Sequence, residues 1–174
     1  MWEAVQLEME RRKRYASEHG IQKLEHATVG NPFAGRVICG YCGQRYGRKV
    51  WNSTNGRLRR IIWRCNGKYV TKGEKGCESG HIDDGVLYQA FVDAFNAMVE
   101  NKESFTGKWQ ERLESDNALV RYKAKQFIGI MADVEVIDEF DAELYFALVE
   151  RITVYDGGRL VVRLLDETVV ECGV

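Results

Sequence analysis

Four cysteines constrain this chain more than any other feature. Cys39 and Cys42 stand two residues apart, Cys65 follows after 22 intervening residues, and Cys77 after 11 more. A Cys-x-x-Cys turn aims two sulfurs at one point. A second pair returning across a hairpin completes the tetrahedron of thiolates that structural zinc takes. Cys65 falls where the return strand of such a hairpin would end. A segment of about 40 residues buries too little apolar surface to hold a ribbon rigid by itself, so a metal stands in for the missing core. The last gap is wider than that of the commonest zinc ribbons, and His81 is an alternative to Cys77 as fourth ligand; Cys77 is preferred. Cys172 leaves an odd thiol in any pairing and reads as a small hydrophobe in the last strand.

The N-terminal stretch MWEAVQLEMERRKRY has no apolar centre flanked by a cleavage site, so it does not read as a secretory signal. Reduced thiols that bind metal are therefore expected rather than disulfides. No run approaches the ~18 apolar residues of a membrane helix. A soluble, cytoplasmic protein is the expectation.

The formal net charge of −1 averages segments of opposite sign. Residues 36–75 hold 11 Lys/Arg and a single acid, Glu74. Residues 1–35 are neutral, and residues 76–174 carry a net charge of −11. Such segregation is the footprint of a surface for a polyanion. Internal pairing of the basic segment with the acidic one is the plainer reading, but an excess of +10 is hard to absorb within a fold.

The expected fold class is α+β: a four-cysteine zinc β-ribbon followed by helices and a closing β-hairpin or meander, preceded by an N-terminal helix. We divide the chain into an N-terminal helix (1–20), a connector (21–35), a zinc ribbon (36–80), a helical part (81–150) and a closing meander (151–174). Trp2, Val5, Met9 and Ala16 share a stripe of the first helix, and Gly20 stops it. The segments 44–51 and 57–64 read as strands around the polar loop NSTNG. Asp83 or Asp84, Asn117 and Asp141 read as helix caps. Leu87, Phe91, Ala94, Phe95 and Met98 share one inward face. Val120, Ala124, Phe127, Ile128 and Met131 form another. In the tail, Ile152, Val154, Leu160, Val162 and Leu164 alternate as a buried face.

On this scheme Arg45, Tyr46, Arg48, Lys49 and Trp51 lie on the first ribbon strand. Arg57, Arg59, Arg60 and Arg64 lie on the second, and Lys68, Lys72 and Lys75 on the loop before Cys77. A two-stranded ribbon fits the DNA major groove, where arginine reads guanine edges and lysine meets phosphates. Arg48 and Arg60 are the candidates for base reading. Trp63 reads as core, while Tyr46 and Trp51 suit either stacking on DNA or the interior. His19 and His26 read as surface residues.

The stretches NPFAGRVICGYCGQRYGRKVW, RIIWRCN and GCESGHIDDGVLYQAFVDAFNAM, in that order, resemble the zinc-ribbon region of large serine recombinases. The front helix and the tail FDAELYFALVERITVYDGGRLVVRLLDETVVEC resemble the segments that flank it. The resemblance implies that Cys39, Cys42, Cys65 and Cys77 bind zinc. It implies a site-specific DNA-binding role on the outer part of an attachment-site or transposon-end half-site, with no catalytic serine in the chain itself. Double-stranded DNA is the expected partner, with a dimer or tetramer in a full-length, nucleoid-associated bacterial recombinase or transposase. Residues 101–140 occupy the place where many phage integrases insert a coiled coil, but lack sustained heptads. The competing reading is a zinc-ribbon adaptor for another protein. A free-standing enzyme is disfavoured, since neither a deaminase H-x-E nor a P-loop signature is present.

Overall fold

Helix α2 (Asp84–Glu100), with seven buried residues, occupies the centre of the structure, a computed structural model that describes residues 2–22, 27–52, 54–69 and 73–172. Leu87, Ala90, Phe91, Ala94, Phe95 and Met98 are all buried. A helix with so broad an apolar surface must be enclosed, and α2 touches both sheets of the molecule. The first sheet is an antiparallel ribbon of β2 (Tyr46–Trp51), β3 (Arg60–Cys65) and β4 (His81–Asp83), with β3 in the middle. The second joins β1 (Val37–Cys39) to the C-terminal meander of β5 (Val149–Val154), β6 (Leu160–Leu164) and β7 (Val169–Cys172). The alternation expected of the tail is present: Ile152, Val154, Leu160, Val162 and Leu164 are at most 4% exposed.

The pairing of β1 is not what local pattern suggests. It runs parallel to β5, with Val37 opposite Ile152 and Cys39 opposite Val154. Ile152 N–H donates to Arg36 O at 2.8 Å, and Gly40 N–H to Val154 O at 2.8 Å. The first cysteine knuckle is therefore anchored on the closing meander as well as leading into the ribbon, where Ile38 bridges Arg45.

Helices α3 (Lys102–Arg112), α4 (Ala118–Ala132) and α5 (Ala142–Leu148) close the remaining sides. Two of the expected caps form. Asn117 Oδ1 accepts from Leu119 N at 2.9 Å and Val120 N at 3.3 Å. Asp141 Oδ1 accepts from Glu143 N at 2.8 Å and Leu144 N at 2.9 Å. The start of α2 differs: Asp83 occupies the cap position but makes no side-chain cap bond. Its carboxylate faces Arg60 instead, and Asp84 accepts from Trp63 Nε1 at 2.6 Å.

Helix α1 (Trp2–Glu18) docks through a face other than the expected stripe. Trp2, Val5 and Met9 are 76%, 45% and 49% exposed. The inward stripe is Ala4, Glu8, Arg11 and Tyr15, and it is held by polar contacts. Glu8 binds Arg11 and Arg12, Arg11 also binds Glu150, and Tyr15 Oη donates to Gly35 O at 3.0 Å. Gly20, at φ 62°, supplies the left-handed turn that ends this segment. The connector contributes a core residue that was not foreseen. Phe33 is fully buried, with its ring centroid 4.8 Å from Tyr88, 5.2 Å from Tyr145 and 6.0 Å from Trp63.

Candidate metal centre and the adjoining cationic face

Two strands, a turn and a loop deliver the four cysteines. Cys39 ends β1, Cys42 lies on the turn after it, Cys65 ends β3, and Cys77 returns from the loop that precedes β4. The turn is fixed by Gly43 N–H donating to Cys39 O at 3.0 Å and Cys39 N–H to Gln44 O at 2.9 Å. Cys77 N–H donates to Gly67 O at 2.9 Å, which draws the last cysteine in. Gly67 N–H in turn donates to Cys65 Sγ at 3.3 Å. All four sulfurs lie within 4.8 Å of one another. Cys39 and Cys77 are 3.7 Å apart, and Cys42 and Cys65 3.4 Å. A tetrahedron with Zn–S bonds of about 2.3 Å has edges of about 3.8 Å, so the donor set and its dimensions fit zinc. Closeness continues into the shell around the sulfurs: a Cβ on Gly67 would stand 2.9 Å from Cys42 Sγ.

Four thiols this close cannot all ionise unaided. Burial pushes the Cys65 thiol upward, and Cys42 beside it adds to the rise. Burial also acts on Cys77, but hydrogen bonds with Ser79 and its neighbouring cysteines bring that thiol down to about 7. A divalent metal supplies the positive charge that would let all four exist as thiolates. His81 is not drawn into the cluster; it is exposed, with its ring 4.9 Å from Trp51. Cys172 lies apart, buried, donating to Ala90 O at 3.3 Å.

The strand register sorts the basic residues onto two faces. Tyr46 is opposite Cys65 and Arg48 opposite Trp63, so these four share the side that packs on the core. Lys49 is opposite Ile62, Trp51 opposite Arg60, and Gly47 opposite Arg64, forming the other side. His81 and Asp83 of β4 extend that second side. Ile62 is only 2% exposed yet lies outside the main core cluster, which leaves the long side chains of its own face to cover it. The second face alternates cations with rings. Lys49 Nζ lies 5.2 Å from the Tyr69 ring centre and the Arg64 guanidinium 5.8 Å from the same ring. The Arg60 guanidinium lies 5.7 Å from the Trp51 ring and 3.4 Å from Asp83.

Other expected contact residues are placed elsewhere. Tyr46 is 1% exposed, and its hydroxyl donates to Gly80 O at 3.1 Å, so its ring belongs to the interior. Arg48 is exposed but extends from the core side of the ribbon, opposite in sense to Arg60. Arg45 donates to Gly20 O, tying the knuckle to the end of α1. Arg57 and Arg59 are exposed on the hairpin loop, and Lys68 is half-buried in the turn after Cys65. Lys75 pairs with Glu78 at 2.9 Å. Lys72 and His26 lie outside the described residues. Tyr69, which anchors two cations of the solvent face, was missed by the sequence reading. Its signal was weak: a lone aromatic in a glycine- and lysine-rich loop.

Residues 32–96 match the family model of the recombinase zinc beta ribbon domain, a span that covers the cysteine quartet, the ribbon and most of α2. No curated protein matches the chain at a significant level. Among solved structures, one chain of an LSR–DNA complex is similar, at 16% identity and a TM-score of 0.47. The similarity covers 91% of this chain and 63% of that one, so this chain spans less than two thirds of its length. Among the described residues, no helix is long and apolar enough to cross a membrane.

Proposed function

We propose that the chain binds double-stranded DNA through the outer face of β2 and β3, a reading supported by the match of residues 32–96 to the recombinase zinc beta ribbon domain. The observation that carries this reading is the register, which gathers Lys49, Trp51, Arg60 and Arg64 on one solvent face while Tyr46 and Trp63 take the other. A ribbon of two strands enters a major groove about 12 Å wide. The metal centre at one end of β3 holds the strands at fixed separation, so the cations meet phosphates and base edges without first ordering. In a site-specific serine recombinase such a module would grip the outer part of an attachment-site or transposon-end half-site. The chain itself would cut nothing.

The roles on the face differ by how firmly each cation is held. Arg60 is braced between Trp51 and Asp83, a geometry that suits directional reading of a base edge. Lys49 and Arg64, which share Tyr69, suit phosphate contacts. Titration of labelled half-site and scrambled duplexes at several salt concentrations separates them. Arg60→Ala should cost ~1–3 kcal/mol on the half-site alone, whereas Lys49→Ala and Arg64→Ala should weaken both duplexes and each lower the salt slope by about 1. Arg48→Ala, on the other side of the ribbon, should change little. If Arg60→Ala, Lys49→Ala and Arg64→Ala all bind like the parent, the face does not meet DNA and the adaptor reading takes its place. Incubation of the chain with a cleavable site should leave no phosphoserine-linked adduct; finding one would overturn the non-catalytic assignment.

A further inference from the structure

A second surface, remote from the ribbon, has the features of an unfilled binding site. A groove of about 840 Å³ runs between α1 and α4. Its walls include Val5 and Met9 of α1 and Leu119 and Tyr122 of α4. Val5, Met9 and Tyr122 are 45%, 49% and 50% exposed, an unusual cluster of apolar side chains left in water. Lys123 lines the groove and is only 9% exposed. Its ammonium has neither a hydrogen bond nor an ion pair among the described residues; it lies 5.9 Å from the Tyr122 ring, and Arg11, Arg12 and Arg36 act on it as like charges. Glu8 is the acid that acts on it, but that carboxylate is already engaged by Arg11 and Arg12. A buried cation whose acid is shared with two arginines is poorly compensated and favours a further anionic partner.

The same chain displays a segment of matching chemistry. Between α4 and α5, Asn96 grips the backbone at Ile137 from both sides: its Nδ2 donates to Ile137 O and its Oδ1 accepts from Ile137 N, each at 2.8 Å. Val134, Ile137 and Phe140 turn inward against the core. Val136 is left 56% exposed among exposed Glu135, Asp138 and Glu139. None of these three carboxylates has an ion-pair or hydrogen-bond partner among the described residues. The segment is thus preorganised, acidic and tipped with an apolar side chain. Fastened to α2 by Asn96, and displaced from Lys123 by the remaining length of α4, about 14 Å at 1.5 Å per residue, it cannot serve its own groove.

We propose that the α1–α4 groove receives the 134–140 segment of a second copy of this chain, with Val136 between the apolar walls and one of its flanking carboxylates on Lys123. Two copies can exchange these contacts about a two-fold axis, which closes the assembly as a dimer. The contact uses nothing from the ribbon, so it stands or falls independently of DNA binding.

Sedimentation velocity over a range of concentrations, on the chain without DNA, tests this directly. The parent should pass from monomer to dimer as concentration rises. Lys123→Met keeps the side chain's length and removes the desolvated charge, so it should fold while weakening association at least about tenfold. The triple variant Glu135→Lys, Asp138→Lys, Glu139→Lys alters only exposed positions and should do the same. A labelled peptide of residues 133–141 should bind the parent and not Lys123→Met. A parent that stays monomeric throughout, or dimerises unaffected by both variants, overturns the proposal. Peptide binding by a chain that stays monomeric also overturns it, and assigns the groove to an acidic segment of a different protein.

Discussion

Gly67 shows how much of the metal centre is built by residues that bind no metal. Its missing side chain leaves room for three cysteines: an added Cβ would lie 2.9 Å from Cys42 Sγ, 3.3 Å from Cys77 Cβ and 3.4 Å from Cys65 Sγ. Gly67→Ala should therefore loosen the site without removing a ligand. We expect one zinc per chain still, bound ~10–100-fold more weakly in competition with a chromophoric chelator. Unchanged affinity would mean that the loop yields freely. Cys172→Ser should leave the stoichiometry untouched, because that thiol is spent on Ala90 O. The convergence of the four cysteines was legible in the sequence, since their spacing points to a metal. The fate of Tyr46 was not. Whether an aromatic on a strand faces core or solvent depends on register, and a single-residue slip reverses every side chain.

At the scale of elements, polar fastenings carry more of the architecture than the hydrophobic pattern suggests. The acceptor Asp166 on the β6–β7 turn is 7% exposed and takes bonds from Trp109 Nε1 at 2.8 Å, Thr168 Oγ1 at 2.7 Å and Arg112. It joins α3 to the meander. Asp166→Ala strands these donors in the interior and should cost about 3–5 kcal/mol in urea unfolding; a loss below about 1 kcal/mol would show that the network is not what holds α3. Helix α1 depends on Glu8 in a similar way. Burial pulls this carboxyl upward, but Arg11 and Arg12 outweigh it and hold it at about 2, below its usual 4.5. A depressed folded-state value means that the contribution is complete above pH 4.5 and is lost as pH falls toward 2. Amide exchange in α1 should accelerate across that window, and Glu8→Gln should remove the dependence while weakening docking at neutral pH. The apolar stripe of Trp2, Val5 and Met9 misled the sequence reading here, because amphipathic period reports that a face is apolar, not what covers it. The parallel pairing of β1 with β5 was equally hidden, for no local pattern links segments more than 100 residues apart.

Across the whole molecule, the segregation of charge in the sequence survives folding as separate surfaces. The basic excess of residues 36–75 is only partly quenched by the acidic segment: Arg60 pairs with Asp83 and Lys75 with Glu78, while Lys49 and Arg64 share a ring. The inward face of α2, the closing meander and the convergence of the four cysteines could be read from periodicity, alternation and spacing. The two-faced sorting of the cations could not, because it follows from the strand register. The central claim is that metal, ribbon and DNA face act as one unit. Its most direct test is the affinity of the chain for a half-site duplex, measured by fluorescence anisotropy before zinc removal, after chelation, and after stoichiometric zinc is restored. Metal binding is also folding free energy for such a ribbon, so binding and its salt dependence should collapse on chelation and return with zinc. A metal-free chain that binds the duplex with the parent's affinity and salt slope would contradict the account.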